Sequence, residues 1–166
     1  NIVCVYRNTT ISNTISNTAS ETAFNLTKQF DANTLKALNR LSVDIYGRTN
    51  SDSILPGTLT FTLKLGSTVI VSTGALTLLT SILNRGVYCN CKIFFETVGA
   101  SATARVNAYV SVSTGLGTEV TSVISSNGTI SLDTTQNLVL TPYATFSVAD
   151  ADNNITIEQM EINLIG

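Results

Sequence analysis

The sequence predicts an all-β fold: an antiparallel β-sandwich, jelly-roll-like, of about ten strands. Three observations predict it. Apolar and polar residues alternate with a period of two along most of the chain. Clusters of Gly, Asn, Asp and Ser break that alternation about every eight to twelve residues. Threonine, whose β-branched side chain suits a half-exposed strand, is abundant, and no segment sustains a convincing long helix.

The first strand is Ile2 to Arg7, where Ile2, Cys4 and Tyr6 alternate with Val3, Val5 and Arg7. Asn8 to Ser20 is a polar spacer of Asn, Thr and Ser. Phe24, Leu26 and Phe30 mark the next strand. Asp31-Ala32-Asn33-Thr34 is turn chemistry, and Asp or Asn there is expected to cap a short helical turn through Leu38. Leu41, Val43 and Ile45 face one way, and Ser42, Asp44 and Tyr46 the other. Gly47 to Gly57 reads as a loop with a Pro56-Gly57 turn. The clearest strand has Leu59, Phe61, Leu63 and Leu65 alternating with Thr60, Thr62 and Lys64. Gly66-Ser67 turns it into Val69 to Ser72. Leu76 to Asn84 fits helix or strand equally.

Val87, Cys89, Cys91, Ile93 and Phe95 form the next inward face. A turn at Gly99 to Thr103 leads to Val106, Ala108, Val110 and Val112. Val120 to Ile124 and Thr129 to Leu132 follow, separated by a hairpin signal at Ser126-Asn127-Gly128. Leu138 to Val148 contains Pro142, which suggests an edge or a bend. In the last strand Ile155 and Ile157 have one parity, and Met160, Ile162 and Leu164 the other. One extra residue near Glu158-Gln159 restores a single inward face, the mark of a β-bulge. Residues 1–17 are an N-terminal arm with the first strand, and 18–166 the sandwich domain.

Composition narrows the chemistry. There is no histidine and no tryptophan. Without histidine there is no Ser-His-Asp triad, no Cys-His pair and no imidazole zinc ligand. Charged residues are 12% of the chain, about half the usual share of ~25%. The nine basic residues are scattered singly against eleven acidic ones. That excludes the clustered Lys and Arg that nucleic-acid binding needs. No apolar run approaches the ~20 residues of a membrane span, and no signal-peptide pattern opens the chain. The chain opens on Asn1 rather than Met, which leaves room for a segment upstream.

Several constellations bear on chemistry. Cys89 and Cys91 share a strand face. They read as small buried thiols, with a bridge to Cys4 or a thiolate metal site as sharper alternatives. Glu158 and Glu161 share a face only if the bulge is real, and otherwise read as solvent-facing charges. Asp150-Ala151-Asp152-Asn153-Asn154 resembles part of a calcium loop but lacks the downstream Gly and Glu, and so reads as a polar turn. Four glycosylation sequons begin at Asn8, Asn25, Asn127 and Asn154; with sixteen asparagines, chance gives about that many. Tyr46, Tyr88 and Tyr109 fall on the polar parity of their strands. They are the candidate surface aromatics for sugar binding, or else tyrosines half-buried between subunits. No catalytic residue, metal site or cofactor is expected.

The pattern Thr18-Ala19-Ser20-Glu21-Thr22, Phe24, Asp31 to Leu35 and Leu41 to Gly47 resembles β-sandwich virion proteins of tailed bacteriophages. Thr58 to Gly66 resembles them too, as do Asp133 to Leu138, Phe146 to Val148 and Asn153 to Gln159. The resemblance spans roughly Thr18 to Leu164. It implies a non-enzymatic head decoration (cement) protein, head fibre or tail-fibre module. Such a protein is made in the host cytoplasm and placed on the virion exterior, commonly as a homotrimer. The leading expectation is a decoration protein that stabilises the shell by binding the major capsid protein or another virion protein. Its docking arm would be centred on Ile2, Val3, Cys4, Val5 and Tyr6, adding to a partner's sheet edge. The other reading of that strand is that it completes its own sheet. The alternative function is a tail-fibre module recognising a host surface glycan. A glycan-cleaving enzyme is disfavoured by the missing His and Trp.

Overall fold

The computed structural model describes residues 1–113, 119–124 and 129–166. Among them are fourteen strands and no helix. They are β1 (Ile2–Arg7), β2 (Ile15–Ser16), β3 (Thr22–Ala23), β4 (Lys28–Phe30), β5 (Arg40–Asn50), β6 (Thr58–Leu65) and β7 (Thr68–Ser72), then β8 (Leu76–Thr77), β9 (Arg85–Phe95), β10 (Ala102–Ser113), β11 (Glu119–Ile124), β12 (Thr129–Leu132), β13 (Leu138–Phe146) and β14 (Asn154–Ile165). The excess over ten comes mainly from two- and three-residue pieces.

Two antiparallel sheets face each other. The larger runs β1-β14-β5-β9-β10-β11, with β12 also on β10 and β2 on β14. The smaller runs β3-β13-β6-β7, with β4 on β13 and β8 on β6. The alternation read in the sequence builds the space between them. Leu59, Phe61, Leu63 and Leu65 are fully buried, and Val106, Ala108, Val110 and Val112 nearly so. They meet Val43, Ile45, Cys89, Cys91 and Ile93 in one continuous core. Each large apolar side chain buried this way contributes about 1.5–3 kcal/mol. Both Cys89 and Cys91 are buried free thiols, while Cys4 is exposed and unbridged.

The bulge in β14 lies where parity placed it. Ile157 pairs with Gly47 and Gln159 with Tyr46, leaving Glu158 as the extra residue. Ile155, Ile157, Met160 and Ile162 then all reach the core, with Leu164 packed against its rim.

Three expectations are corrected. Residues 31–38 form turns rather than a short helical turn, because Asn33 and Leu38 take positive φ values of 63° and 69°, which a right-handed helix excludes. Gly47 does not open a loop, since β5 continues to Asn50. Its missing side chain is needed because a Cβ there would collide with the backbone of Thr156 and Ile157 beside the bulge. Pro142 is not on an edge strand: β13 is central, flanked by β6 on one side and by β3 and β4 on the other. The proline sits where that second neighbour is interrupted. Its carbonyl accepts from Phe24 N–H, and its missing N–H has no ladder partner to lose. Leu76 to Asn84 is resolved as the short β8 followed by turns. The hairpin expected at Ser126-Asn127-Gly128 lies outside the described residues. β11 and β12 run in the same direction along one edge of β10.

The N-terminal segment is part of the larger sheet. β1 pairs with β14 from Ile2–Ile165 to Arg7–Glu161. Beyond it, Ser12 N–H donates to Ile157 O at 2.9 Å, and Ile157 N–H returns a bond to Ser12 Oγ at 2.8 Å. Ile15 is buried in the core. The amide of Asn8 fits the bulge: its Nδ2 donates to Glu158 O at 2.9 Å and its Oδ1 accepts from Met160 N–H at 2.6 Å. Polar side chains thus supply hydrogen bonds that a strand ladder would supply elsewhere.

Candidate functional site: a tyrosine row and its cleft

The outward positions of β5, β9 and β10 bring three tyrosines together. Tyr46 pairs directly with Tyr88 across β5 and β9. Tyr109 on β10 pairs with Asn90 and so lies diagonal to Tyr88. The ring centroids are 4.8 Å apart for Tyr46–Tyr88 and 6.0 Å for Tyr88–Tyr109, with planes inclined by 35° and 54°. Tyr46 is 46% exposed and Tyr109 36%, with Tyr88 half-buried between them. These strands are central, so the row stands on a rigid floor.

The rung on one side of Tyr46–Tyr88 is Asp44–Asn90. The Tyr88 hydroxyl donates to Asp44 Oδ1 at 3.4 Å, and Asn90 Nδ2 donates to the same oxygen at 2.6 Å. Burial first, then the Asp44 charge, push the Tyr88 phenol up to about 12. It therefore stays a neutral hydrogen-bonding group throughout the physiological range.

The rung on the other side is Arg48–Gly86. Here the surface opens into a cleft of about 460 Å³ lined by Tyr46, Tyr88, Gly86, Ser111, Ser113 and Glu158, with Asn84 and Arg85 at its end. The space above Gly86 is open: a Cβ there would meet nothing within 4 Å. Glu158, put outward by the bulge, is held by Arg48 at 3.4 Å. The site therefore combines aromatic faces, hydroxyls, an amide and charged groups in one concavity, the make-up of a small-molecule recognition surface.

No protein-family model matches this chain, and no curated protein matches it. Among solved structures it is similar to the CBM2 module of the evolved Dit of Lactobacillus casei BL23 phage J-1. The TM-score is 0.38 at 9% identity, over 92% of this chain and 74% of that one. It is also similar to the basic winged bean lectin with Tn-antigen, with a TM-score of 0.34, 10% identity and coverage of 86% and 78%. The winged bean acidic lectin with methyl-α-D-galactose gives 0.33 and 9%, over 87% and 78%. Likeness at this level carries no functional weight.

The other residues singled out from sequence fall elsewhere. Ile2 and Val3 are exposed, Cys4 is exposed, and Val5 and Tyr6 are half-buried on β1. The strand's register slips between Cys4 and Tyr6, so the outer edge is bulged at Val5. A bulge of that kind blunts an edge against further pairing. Glu161 is ion-paired with Arg7, and hydrogen bonds from Asn163 and then Arg7 hold its carboxyl below the usual range.

Asp150 and Asp152 are joined by Asp52, all three offering carboxylate oxygens within 4.8 Å of one another. Asp52 Oδ1 accepts from the backbone N–H groups of Leu55 at 2.6 Å and Ile54 at 2.8 Å, which lowers its pKa. Asp150 Oδ1 accepts from Asp152 N–H at 2.8 Å. These bonds are turn chemistry, in keeping with the polar-turn reading.

Sequence reasoning placed the tyrosines on the outer parity but missed the cleft. One signal pointed to it: Gly86 stands at an outward position of an otherwise alternating strand, where a glycine leaves room for something to approach. Nothing in the local sequence connects Asp52 to residues a hundred positions away.

Proposed function

We propose that this chain is a non-enzymatic recognition module of a phage virion, and that it binds a host-surface glycan on the Tyr46–Tyr88–Tyr109 row. The observation that carries this reading is the row itself. Three aromatic rings lie side by side, partly open to solvent, on the rigid strands of one sheet, and a polar cleft adjoins them. Sugar rings present apolar C–H faces that stack on aromatics, and hydroxyls that need the donors and acceptors the cleft supplies. The reading moves weight away from the decoration role, whose expected attachment device was a docking arm. β1 is spent on its own sheet, and its outer edge is bulged. The phage assignment and a homotrimeric assembly on the virion exterior rest on the sequence resemblance. That the module is not an enzyme is supported by the outward carboxylates Glu158 and Glu161, each occupied by an arginine.

The test is binding of the purified chain to a glycan array and to host cell-wall material, beside Tyr46→Ala and Tyr88→Ala. Each variant should keep the wild-type circular dichroism and lose most of the binding. A wild-type chain that binds no glycan but binds purified heads would return the decoration reading.

A further inference from the structure

We propose that the tyrosine cleft and a second hollow beyond the β14 bulge form one groove across the larger sheet, and that this groove binds an internal stretch of an uncharged, ribbon-like glycan. The inference rests on the glycan reading above and names the ligand class of that same site.

The second hollow has a volume of about 280 Å³ and is lined by Arg7, Thr9, Thr10, Ile11 and Gln159, together with Glu158. It opens on the same face as the tyrosines. Gln159 pairs with Tyr46, and Arg7 pairs with Glu161, which pairs in turn with the outward Asp44. Glu158 lines both hollows, so they meet at its side chain. The bulge makes that meeting possible. It turns two successive side chains, Glu158 and Gln159, to the outer face, where both are exposed. One rung thereby carries Ser111, Tyr88, Tyr46 and Gln159 in line toward β1. Four strand-to-strand steps of ~4.8 Å separate β10 from β1, so the groove runs about 19 Å. That length is several times the width of one sugar ring. It suits a chain lying across the sheet rather than the tip of one.

The lining fits a ligand without charge. Arg7 is paired with Glu161, and Glu158 with Arg48. Arg85 shares the parity of Val87 and Cys89, opposite to Gly86 and Tyr88, so its guanidinium leaves the other face of the sheet. Asp44, one rung from Tyr46–Tyr88, accepts from Tyr88 and Asn90, and its charge disfavours an anion there. A carboxylate accepts and a guanidinium donates, which suits neighbouring ring hydroxyls that do both. The tyrosine faces and the exposed Ile11 supply apolar surface for ring C–H groups. Sugars joined through equatorial bonds form a flat ribbon with C–H faces on both sides, the shape that a strand-floored groove accommodates.

The experiment is calorimetric titration of the intact chain with two neutral β-1,4-linked series, cello-oligosaccharides and N-acetylglucosamine oligomers, from monomer to hexamer. The C6-oxidised, anionic form of the cello-oligosaccharides is the charged control. Wild type is compared with Gln159→Ala, Ile11→Ala and Tyr88→Ala, each checked for an unchanged melting transition. Affinity for one neutral series should rise about ten- to a hundredfold from dimer to tetramer and exceed that for the anionic control. Gln159→Ala and Ile11→Ala should each lose about three- to tenfold on the tetramer and leave the dimer unchanged. Tyr88→Ala should lose both. A wild type that binds dimer and hexamer alike, with binding lost in Tyr88→Ala, overturns the extended groove and leaves the tyrosine reading standing. So does a gain with length that Gln159→Ala and Ile11→Ala do not touch. An anionic form that binds as tightly as its neutral parent overturns the uncharged assignment. Binding that survives Tyr88→Ala overturns both readings. Failure of both neutral series to bind overturns the ribbon assignment, and the glycan array then decides the tyrosine reading by itself.

Discussion

Replacing Asn8 by alanine tests whether polar side chains of the N-terminal segment hold the sheet together. Asn8 Nδ2 donates to Glu158 O and to Thr10 O at 2.7 Å, and its Oδ1 accepts from Met160 N–H. Met160 is fully buried and belongs to the core. Its N–H sits at the bulge, where the ladder to β5 is out of step. Truncation leaves that donor without its acceptor, at a cost of about 1–3 kcal/mol. The carbonyl of Glu158 is more open and adds less. We expect Asn8→Ala to destabilise by ~2 kcal/mol, a large part of the ~5–15 kcal/mol a domain of this kind holds in reserve. Asn8→Asp keeps the acceptor but loses the donors, and should fall between. The assay is urea unfolding, read as a shift in midpoint at constant slope, with hydrogen exchange at the Met160 amide. Deleting residues 1–17 removes β1, Asn8, Ser12 and the buried Ile15 together, and should prevent folding. An Asn8→Ala midpoint equal to wild type, with Met160 still protected, would refute the reasoning. So would a truncated chain of native stability.

Gly47→Ala should cost more than its size suggests, about 1–3 kcal/mol from overpacking, because its Cβ has the Thr156 carbonyl in its path. Gly86→Ala, with open space above it, should be nearly neutral in the same unfolding measurement, and equal costs would refute the distinction. Alkaline pH should weaken the fold: burial pushes the Cys89 thiol up to about 12 and raises Cys91 well above its ordinary value. The native state therefore keeps protons that the unfolded chain releases from about pH 8.5 upward. Stability is intact below that pH and falls at about 1.4 kcal/mol per pH unit per thiol above it. A Cys89→Ala, Cys91→Ala double variant should show a shallower pH dependence between 9 and 10.5, and an identical one would refute the thiol origin.

The core was legible because both sheets bury one face and expose the other. A two-residue period then carries the inside-outside assignment, as in β6, β9 and β10. Even the bulge at Glu158 was legible, since an extra residue inverts parity for the rest of the strand. What escaped was non-local. Gly47 looks like a breaker until the Thr156 backbone lies against it. Pro142 looks like an edge residue until the gap between β3 and β4 is seen beside it. Residues 8–17 look too polar to pack, because periodicity counts apolar surface and cannot register an amide that substitutes for a ladder bond. The tyrosines were placed on the correct face one strand at a time. Their meeting depends on the β5–β9–β10 register, which no single strand encodes.

The placement of the row has an evolutionary consequence. Tyr46, Tyr88, Tyr109, Gly86, Ser111 and Ser113 occupy outward positions whose chain neighbours, Ile45, Val87, Cys89, Ala108, Val110 and Val112, make the core. Alternation thus separates two sets of selective pressures residue by residue along the same strands. The outer set can therefore be rewritten by single substitutions, each about neutral for folding. No rebuilding of loops and no loss of stability is needed to do so.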